Sequence, residues 1–201
     1  LGTMGKPMCK RLLPAGYEVI VYDKNPDPVD DLVNKGATAA NGPIECGSTA
    51  QILITSLPHP HNVETLMLDE GVLASLKPES IWVDLTTNRK ELIESLAHNA
   101  PKGVNVVDSP VTGAVDGARN GQLTLFAGGQ KEIIKEVSPI LQNLGRLIIC
   151  GPLGTGNVVK LVTNQLWFIA AASIGEGFAI GMANGVDLSV LWEAIKDSVG
   201  D

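Results

Sequence analysis

The stretch that decides the fold is LGTMGKPMCKRLLPAGYEVIVYD, residues 1–23. After a glycine-rich opening, residues 4–13 have a helical pattern that ends at Gly16. Residues 18–23 follow as an apolar, β-branched run, which predicts a strand. A glycine-rich turn, a helix and a strand in this order are typical of a doubly wound α/β fold.

The first two glycines have the spacing of the later part of a dinucleotide fingerprint, G-x-G-x-x-G, with Gly2 second and Gly5 third. A side chain at Gly2 would block the close approach of a pyrophosphate, which is held by amides at a helix N-terminus. Asp23 lies where an acid accepts hydrogen bonds from both ribose hydroxyls and repels a 2′-phosphate. NAD is therefore favoured, although Lys24 follows directly and NADP is not excluded; plain glycine turns have the same pattern. The expected cofactor-binding residues of this stretch are Gly2, Thr3, Met4 and Asp23.

Strands and helices alternate along the next part of the chain. The predicted strands are residues 51–56, 80–85, 104–108, 123–127 and 146–150, and the predicted helices are 28–35, 61–68, 88–99, 115–119 and 131–144. This alternation predicts a Rossmann-type, mainly parallel sheet with helices on both faces. Ligands of such sheets bind at the carboxyl ends of the strands. The rule selects three loops: Leu57-Pro58, Thr86-Thr87-Asn88 and Ser109 to Gly113.

Two plainer interpretations of these loops stay open. Thr86 and Thr87 could be N-caps of the helix predicted to start at Asn88. Asp108 could form a turn before Pro110.

A second glycine-rich turn, GPLGTGNVVKLVTN (residues 151–164), opens a long helix predicted to run to about Asn184. Asn157, Lys160 and Asn164 form one polar face on this apolar helix. A lysine there must be paired, solvated in a cleft, used chemically, or extended to water along its apolar stem. Gly185 is predicted to end the helix, and Asp187 to cap a further helix over 188–198.

The pattern predicts two domains. Residues 1–154 form an NAD(P)-binding Rossmann-like domain, and residues 155–201 form a long interdomain helix and the start of an all-helical domain. The first glycine of the fingerprint and the strand before it are absent, and a central strand of a parallel sheet cannot be left out. The predicted helical domain also stops before it could enclose a core. We therefore expect a fragment shortened at both ends, with weak or no turnover of its own.

Composition limits the class of function. The net charge of −7 comes without a basic patch, which argues against nucleic acid, and the longest apolar run, 166–175, is too short to cross a bilayer. Three scattered cysteines without C-x-x-C spacing favour reduced thiols, in the cytoplasm or an organelle matrix. His59 and His61 lack a third ligand, so no metal site is expected.

Two further motifs carry a resemblance. DSPVTGAVDGARNGQLTLFAGG (108–129) is similar to D-A-P-V-S-G-G-x-x-G-A-x-x-G-x-L, and GTGNVVKLVTN (154–164) is similar to G-x-G-x-x-x-K-x-x-x-N. Together with the first glycine turn these motifs stand in the correct order, and the match extends over the whole chain. The sequence resembles the β-hydroxyacid dehydrogenases, the family of 3-hydroxyisobutyrate dehydrogenase, tartronate semialdehyde reductase and the glyoxylate/succinic semialdehyde reductases.

The resemblance implies hydride transfer between a nicotinamide cofactor and a small β-hydroxyacid or its semialdehyde. It implies that Lys160 is the general acid/base and that Asn164 positions the substrate. It places Thr112, Gly113 and Ala114 at the substrate carboxylate, and it places Leu57, Pro58 and Thr87 at the cofactor. Thr112 stands where serine is usual and Ala114 where a second glycine is usual, and both changes narrow the pocket.

Two alternatives and one partner expectation accompany this assignment. A 6-phosphogluconate dehydrogenase-like enzyme would need cationic groups for a sugar phosphate, which the visible loops lack. A non-catalytic dinucleotide-binding or interaction module could keep the same fold, although the combination of Lys160, Asn164 and Thr112 argues for an enzyme. The apolar, unfinished second domain favours a homo-oligomer.

Overall fold

A computed structural model of the protein describes residues 1–198. The chain divides into two compact units, the first from Leu1 to Lys160 and the second beginning at Leu161. The first unit contains every strand of the described residues, and the second consists of helix.

The elements follow in a βα alternation. The helices are α1 (Gly5–Leu12), α2 (Pro26–Val33), α3 (Pro43–Thr49), α4 (Pro60–Glu64), α5 (Val72–Ser75), α6 (Lys90–His98), α7 (Ala114–Asn120), α8 (Lys131–Leu141), α9 (Thr155–Ala183) and α10 (Leu188–Lys196). The strands are β1 (Ile20–Val21), β2 (Thr38–Ala39), β3 (Ile52–Thr55), β4 (Ile81–Asp84), β5 (Asn105–Asp108), β6 (Val111–Thr112), β7 (Leu123–Gly128) and β8 (Gly145–Gly151). A 3₁₀ turn (Leu13–Ala15) follows α1, and a π-helical segment (Thr65–Asp69) extends α4.

The main sheet has six strands and is mainly parallel, as predicted. Strand β4 lies between β3 and β5, and both pairings are parallel. Strand β7 is antiparallel to β5 and β6 and parallel to β8. A separate two-stranded parallel sheet joins β1 and β2.

Helices cover both faces of this sheet, as the residues of β4 demonstrate. All four residues of the strand are buried. Ile81 and Val83 belong to a core cluster with Met8 of α1 and Ile134 of α8, whereas Trp82 belongs to a second cluster with residues of α4 and α6. Because side chains alternate along a strand, these two clusters lie on opposite faces.

One predicted loop is wrong in part. Residues 111 and 112, expected within the loop after β5, form β6 and pair with β7 at Leu125 and Thr124. The main-chain N–H of Phe126 donates to the carbonyl of Pro110 at 3.0 Å. Strand β7 is therefore hydrogen-bonded without interruption to the segment that begins at Asp108. Proline lacks a donor but retains its carbonyl acceptor, which explains why Pro110 does not end this ladder.

The N-cap interpretation of Thr86 and Thr87 is also wrong. Helix α6 begins at Lys90, its N-cap is Arg89, and no side chain caps it. Three short elements, β2, α3 and α5, were not predicted. Their runs of two to seven residues are too short to show a hydrophobic period.

The second unit confirms the predicted end of α9 and the start of α10. Gly185 has a φ of +77°, and the Asp187 carboxylate accepts a hydrogen bond from the Ser189 amide at 2.7 Å. Helix α9 is apolar over a longer span than the run 166–175 indicated, with a mean hydropathy of 1.5. Its length and composition would suffice to cross a membrane, but core helices of soluble proteins have the same character.

Candidate active site

Three polar residues form one row at the carboxyl ends of the parallel strands. Thr55 is the register partner of Asp84, and Asp84 is the register partner of Asp108. Each is the last residue of its strand, and all three are buried. The sheet therefore brings two carboxylates and a hydroxyl together at the edge where ligands of such folds bind.

Asp84 is fully enclosed and accepts hydrogen bonds at both oxygens. Its Oδ1 accepts from Thr55 Oγ1 at 2.8 Å and from the Thr86 amide at 3.2 Å. Its Oδ2 accepts from Asn88 Nδ2 at 3.2 Å. Burial raises the pKa of Asp84 to about 6, although these hydrogen bonds act in the opposite direction. Asp84 thus orders the loop that follows its own strand.

The loops after β3 and β4 are joined to each other. The hydroxyl of Thr86 accepts a hydrogen bond from the Leu57 amide at 3.0 Å. Leu57 and Thr87 are half-buried and Pro58 is exposed. Two of the predicted cofactor-binding segments, Leu57-Pro58 and Thr86-Thr87, therefore lie side by side.

Asp108 caps the first turn of α9 from a neighbouring strand. Its Oδ1 accepts from the Gly154 amide at 2.6 Å, and its Oδ2 accepts from the Asn157 amide at 2.8 Å and from Asn157 Nδ2 at 3.0 Å. Burial raises the pKa of Asp108, and the hydrogen bonds from Asn157 and Gly154 counteract this shift. The carboxylate thus satisfies amides at and just before the start of α9 that have no partner within the helix, rather than forming a turn with Pro110.

Asn157 connects the two carboxylates. Its Oδ1 accepts a hydrogen bond from the Asn88 amide at 2.6 Å, while its Nδ2 donates to Asp108. Asn88 in turn donates to Asp84. A continuous chain of hydrogen bonds, buried except at the Leu57 amide, therefore runs from the loop after β3 to the start of α9.

Lys160 follows Asn157 by three residues on the same helix, and its side chain is buried with an exposure of 8%. This burial lowers the pKa of the Lys160 ammonium below its ordinary value of 10.5. The amine of Lys160 therefore becomes neutral at a lower pH than the amine of a lysine on the surface.

The first glycine turn fits a dinucleotide. Gly2 is exposed, and a Cβ placed on it would have no heavy atom of its surroundings within 4 Å. The packing of the described residues therefore gives no reason for glycine there, whereas the approach of a pyrophosphate does. Thr3 is exposed, and Met4 packs against the first core cluster just before α1 begins.

Asp23 is half-buried beside this turn. It contacts the terminal amine of Leu1 and accepts a hydrogen bond from the Asn25 amide at 2.8 Å. Lys24 points elsewhere, because its ammonium donates at 2.7 Å to Glu70, the residue that directly follows the π-helical segment. An acid in this place, with the adjacent cation already paired, suits a free ribose better than a 2′-phosphate.

The predicted substrate residues lie at the start of α7. Thr112, Gly113 and Ala114 are all exposed. Gly113 has a φ of +120° and Ala114 a φ of +53°. A left-handed alanine costs about 1–2 kcal/mol, so backbone strain accompanies the alanine at this motif position.

The hydrogen-bonded network does not include every predicted site residue. Within residues 1–198 its hydrogen bonds do not reach Gly2, Thr112 or Asn164, and Asn164 belongs to the second unit. The network itself contains residues that no motif assigned, among them Asp84, Asn88 and Asn157. The only sequence signal for Asp84 and Asn88 is a polar cluster that directly follows an apolar strand, as in IWVDLTTN.

Comparisons with known proteins agree with this geometry. The chain is 39% identical to 3-hydroxyisobutyrate dehydrogenase of Pseudomonas aeruginosa over its whole length, and it covers 68% of that protein. It is 36% identical to NAD-dependent L-serine dehydrogenase of the same bacterium, with the same coverage. Other curated relatives include mitochondrial enzymes of plants and mammals.

Solved structures give the same result. The solved structure of 3-hydroxyisobutyrate dehydrogenase of Mycobacterium tuberculosis with L-serine has a TM-score of 0.92 and 27% identity, and the match covers 100% of this chain and 69% of that one. Residues 1–154 match the family of the NAD binding domain of 6-phosphogluconate dehydrogenase. The chain therefore belongs to that family of NAD-binding domains and, with its relatives, to the β-hydroxyacid dehydrogenases, which are NAD(P)-dependent oxidoreductases.

Proposed function

We propose that this protein oxidises a small β-hydroxyacid reversibly to its semialdehyde with NAD, using Lys160 as the general acid/base. The observation that carries the proposal is the position of Lys160. It is a buried lysine on the first turns of a helix whose start is fixed by Asp108 at the carboxyl edge of a dinucleotide-binding sheet. Proton transfer requires a group whose pKa lies near the working pH, and burial moves Lys160 in that direction.

The substrate class follows from what two relatives have in common. 3-Hydroxyisobutyrate and L-serine, named for the Pseudomonas enzymes, both carry a carboxylate and a primary hydroxyl on the β-carbon. In our proposal the hydroxyl of Thr112 and the amide of Gly113 bind the carboxylate. Both residues are exposed in the described structure, so a ligand can reach this segment.

The protein's part in the reaction is to hold the substrate and move one proton. When bound, NAD supplies the carbon that accepts a hydride from the β-carbon. The neutral amine of Lys160 accepts the hydroxyl proton as the carbonyl forms, and its ammonium returns that proton in the reverse direction. Asn164, one helical turn further along α9, orients the reacting oxygen without competing for the proton.

The domain, cellular and assembly expectations remain part of this proposal. Residues 1–154 would be the cofactor domain and residues 155–201 the interdomain helix with the start of a helical domain. Free cysteines and bacterial and mitochondrial relatives support the cytoplasm or an organelle matrix. Strongly exposed apolar side chains such as Trp167 and Ile180 support a homo-oligomer, which light scattering of the full natural chain would test.

The deciding experiment compares Lys160→Ala with Lys131→Ala in the full natural chain, because Lys131 is an exposed lysine outside the site. The assay uses 3-hydroxyisobutyrate and L-serine with NAD and NADP, and NADH binding is measured separately. Lys160→Ala should lower kcat by about 10²- to 10⁴-fold and leave NADH binding intact, while Lys131→Ala should change neither. Wild-type turnover by Lys160→Ala would refute the role of the lysine.

A further inference from the structure

Asn157 occupies the centre of the buried network described above. It has no exposed surface, and both ends of its side-chain amide are in use. Its Oδ1 accepts from the Asn88 amide at 2.6 Å, and its Nδ2 donates to Asp108 at 3.0 Å. The side chain thus joins the loop after β4 to the last residue of β5.

The bridge leads in one direction to the cofactor-binding loops. Asn88 donates to Asp84, Asp84 accepts from the Thr86 amide, and Thr86 accepts from the amide of Leu57. The first two contacts fix the loop after β4 to the end of its own strand, and the third joins this loop to the loop after β3. A displacement of Asn88 would therefore disturb the segment that carries Leu57.

In the other direction the bridge leads to Lys160. Residues 157 and 160 lie on the same face of α9, so the first turns of this helix transmit the position of Asn157 to the lysine. The main-chain amide of Asn157 is also held by Asp108, at 2.8 Å. Rotation or translation of the start of α9 is thereby opposed at two atoms of one residue.

We propose that Asn157 is a positioning residue that aligns Lys160 with the cofactor loops. This inference rests on the proposed role of Lys160. Only a primary amide of this length accepts from Asn88 and donates to a carboxylate at the same time. An aspartate keeps the acceptor but loses the donor unless one carboxyl of the new pair is protonated.

The variant Asn157→Asp therefore gives a test that depends on pH. At high pH its carboxylate would face the carboxylate of Asp108 and repel it, whereas at low pH a shared proton would restore the donor. The other charged or titratable groups around the bridge are Asp84, Lys160, Lys90, whose side-chain stem lies against Gly154, and Cys150, whose thiol pKa is raised by burial and by the charge of Asp108. Since these groups are also present in the wild type, the informative quantity is the ratio of variant to wild-type kcat.

The experiment measures kcat and KM for semialdehyde reduction in the full natural chain from pH 5.5 to pH 9. For Asn157→Asp we expect the kcat ratio to fall by about 10- to 100-fold as pH rises, with a smaller change in the NADH dissociation constant. Asn99→Asp is the matched control, because it makes the same chemical change at an exposed helix C-cap and should give a ratio near one throughout.

Several outcomes would overturn the proposal. A kcat ratio for Asn157→Asp that does not change with pH would refute the positioning role, whether its value is near one or low. Should this variant fail to fold, Asn157→Ala carries the test, and unchanged kcat in Asn157→Ala would refute the proposal equally. The role of Lys160 itself is decided by Lys160→Ala, so the two hypotheses can fail independently.

Discussion

Asp108 binds Asn157 twice, accepting its main-chain N–H at 2.8 Å and its side-chain N–H at 3.0 Å. The last residue of β5 is thereby fixed to the third residue of α9. A carboxylate at this end of a helix also interacts favourably with the helix dipole. The geometry of the start of α9 is thus determined by the sheet rather than by the helix alone.

A first prediction concerns Gly156, which directly precedes Asn157 in α9 and lies against β7. A Cβ on Gly156 would overlap the carbonyl oxygen of Phe126 and lie 2.9 Å from Asp108 Oδ2. Because neither backbone nor a bonded carboxylate can move aside cheaply, Gly156→Ala should displace α9. We expect a loss of about 1–3 kcal/mol in the free energy of unfolding and a fall in kcat.

The control for this variant is Gly175→Ala in the same helix. A Cβ on Gly175 meets no atom within 4 Å, and alanine favours helix over glycine by about 1 kcal/mol. Urea unfolding of the two variants should therefore give changes of opposite sign. Equal stability of Gly156→Ala and wild type would show that α9 is not held against β7.

A second prediction separates cofactor binding from folding at Gly2. Since a Cβ there has open space, Gly2→Ala should leave the melting temperature unchanged, yet weaken NADH binding by about tenfold or more by obstructing the pyrophosphate. Gly42→Ala, at another glycine with open space, should leave NADH binding unchanged. Fluorescence titration with NADH measures both, and wild-type affinity of Gly2→Ala would contradict the assignment of the turn.

The sequence predicted β4 well because this strand is buried on both faces. Ile81 to Asp84 is a continuous apolar run ending in an acid, which is typical of a central strand in a parallel sheet. The helices α3 and α5 escaped prediction because tertiary contacts, such as Cys46 and Val72 in the second core cluster, stabilise segments with weak local signals.

The candidate site could be predicted only where motifs name its residues. Lys160 and Thr112 stand in recognisable spacings, but Asn157 and Asn88 are joined across 69 residues of sequence by one hydrogen bond. Such a contact depends on strand order and register, which no local pattern specifies. The sequence likewise does not indicate that the residues after Pro110 form β6 and pair with β7.

A third prediction concerns the pH dependence of turnover. Burial lowers the pKa of Lys160 below 10.5, and oxidation requires its neutral form. The kcat for hydroxyacid oxidation should therefore rise with pH and level off above an inflection below 10.5, while the kcat for reduction falls over the same range. Profiles from pH 6 to pH 10 in both directions test this, with Lys131→Ala as a control that keeps the profile. An oxidation rate independent of pH would exclude a lysine base.

The last prediction uses Asp84, whose pKa burial raises from 3.8 to about 6. Because its folded-state pKa exceeds the unfolded value, the folded protein binds more protons than the unfolded chain between these pH values. The free energy of unfolding should therefore decrease as pH rises through this window, by about 3 kcal/mol at 1.4 kcal/mol per pKa unit. Asp84→Asn cannot ionise, so urea unfolding at pH 4, 5, 6 and 7 should reveal this component as the difference between variant and wild type.

Asp31→Asn provides a control of opposite sign. Hydrogen bonds from Lys10 and Lys6 hold the pKa of Asp31 below its usual range, so its contribution to stability is present at neutral pH and is lost as pH falls through the folded-state pKa. The loss of unfolding free energy in Asp31→Asn, relative to wild type, should therefore be largest at neutral pH. The unfolding free energy of Asp84→Asn, relative to wild type, should instead increase as pH rises from 4 to 7. If the stabilities of Asp84→Asn and wild type run parallel over this range, the Asp84 carboxyl is not the buried, proton-binding group at the centre of the sheet edge.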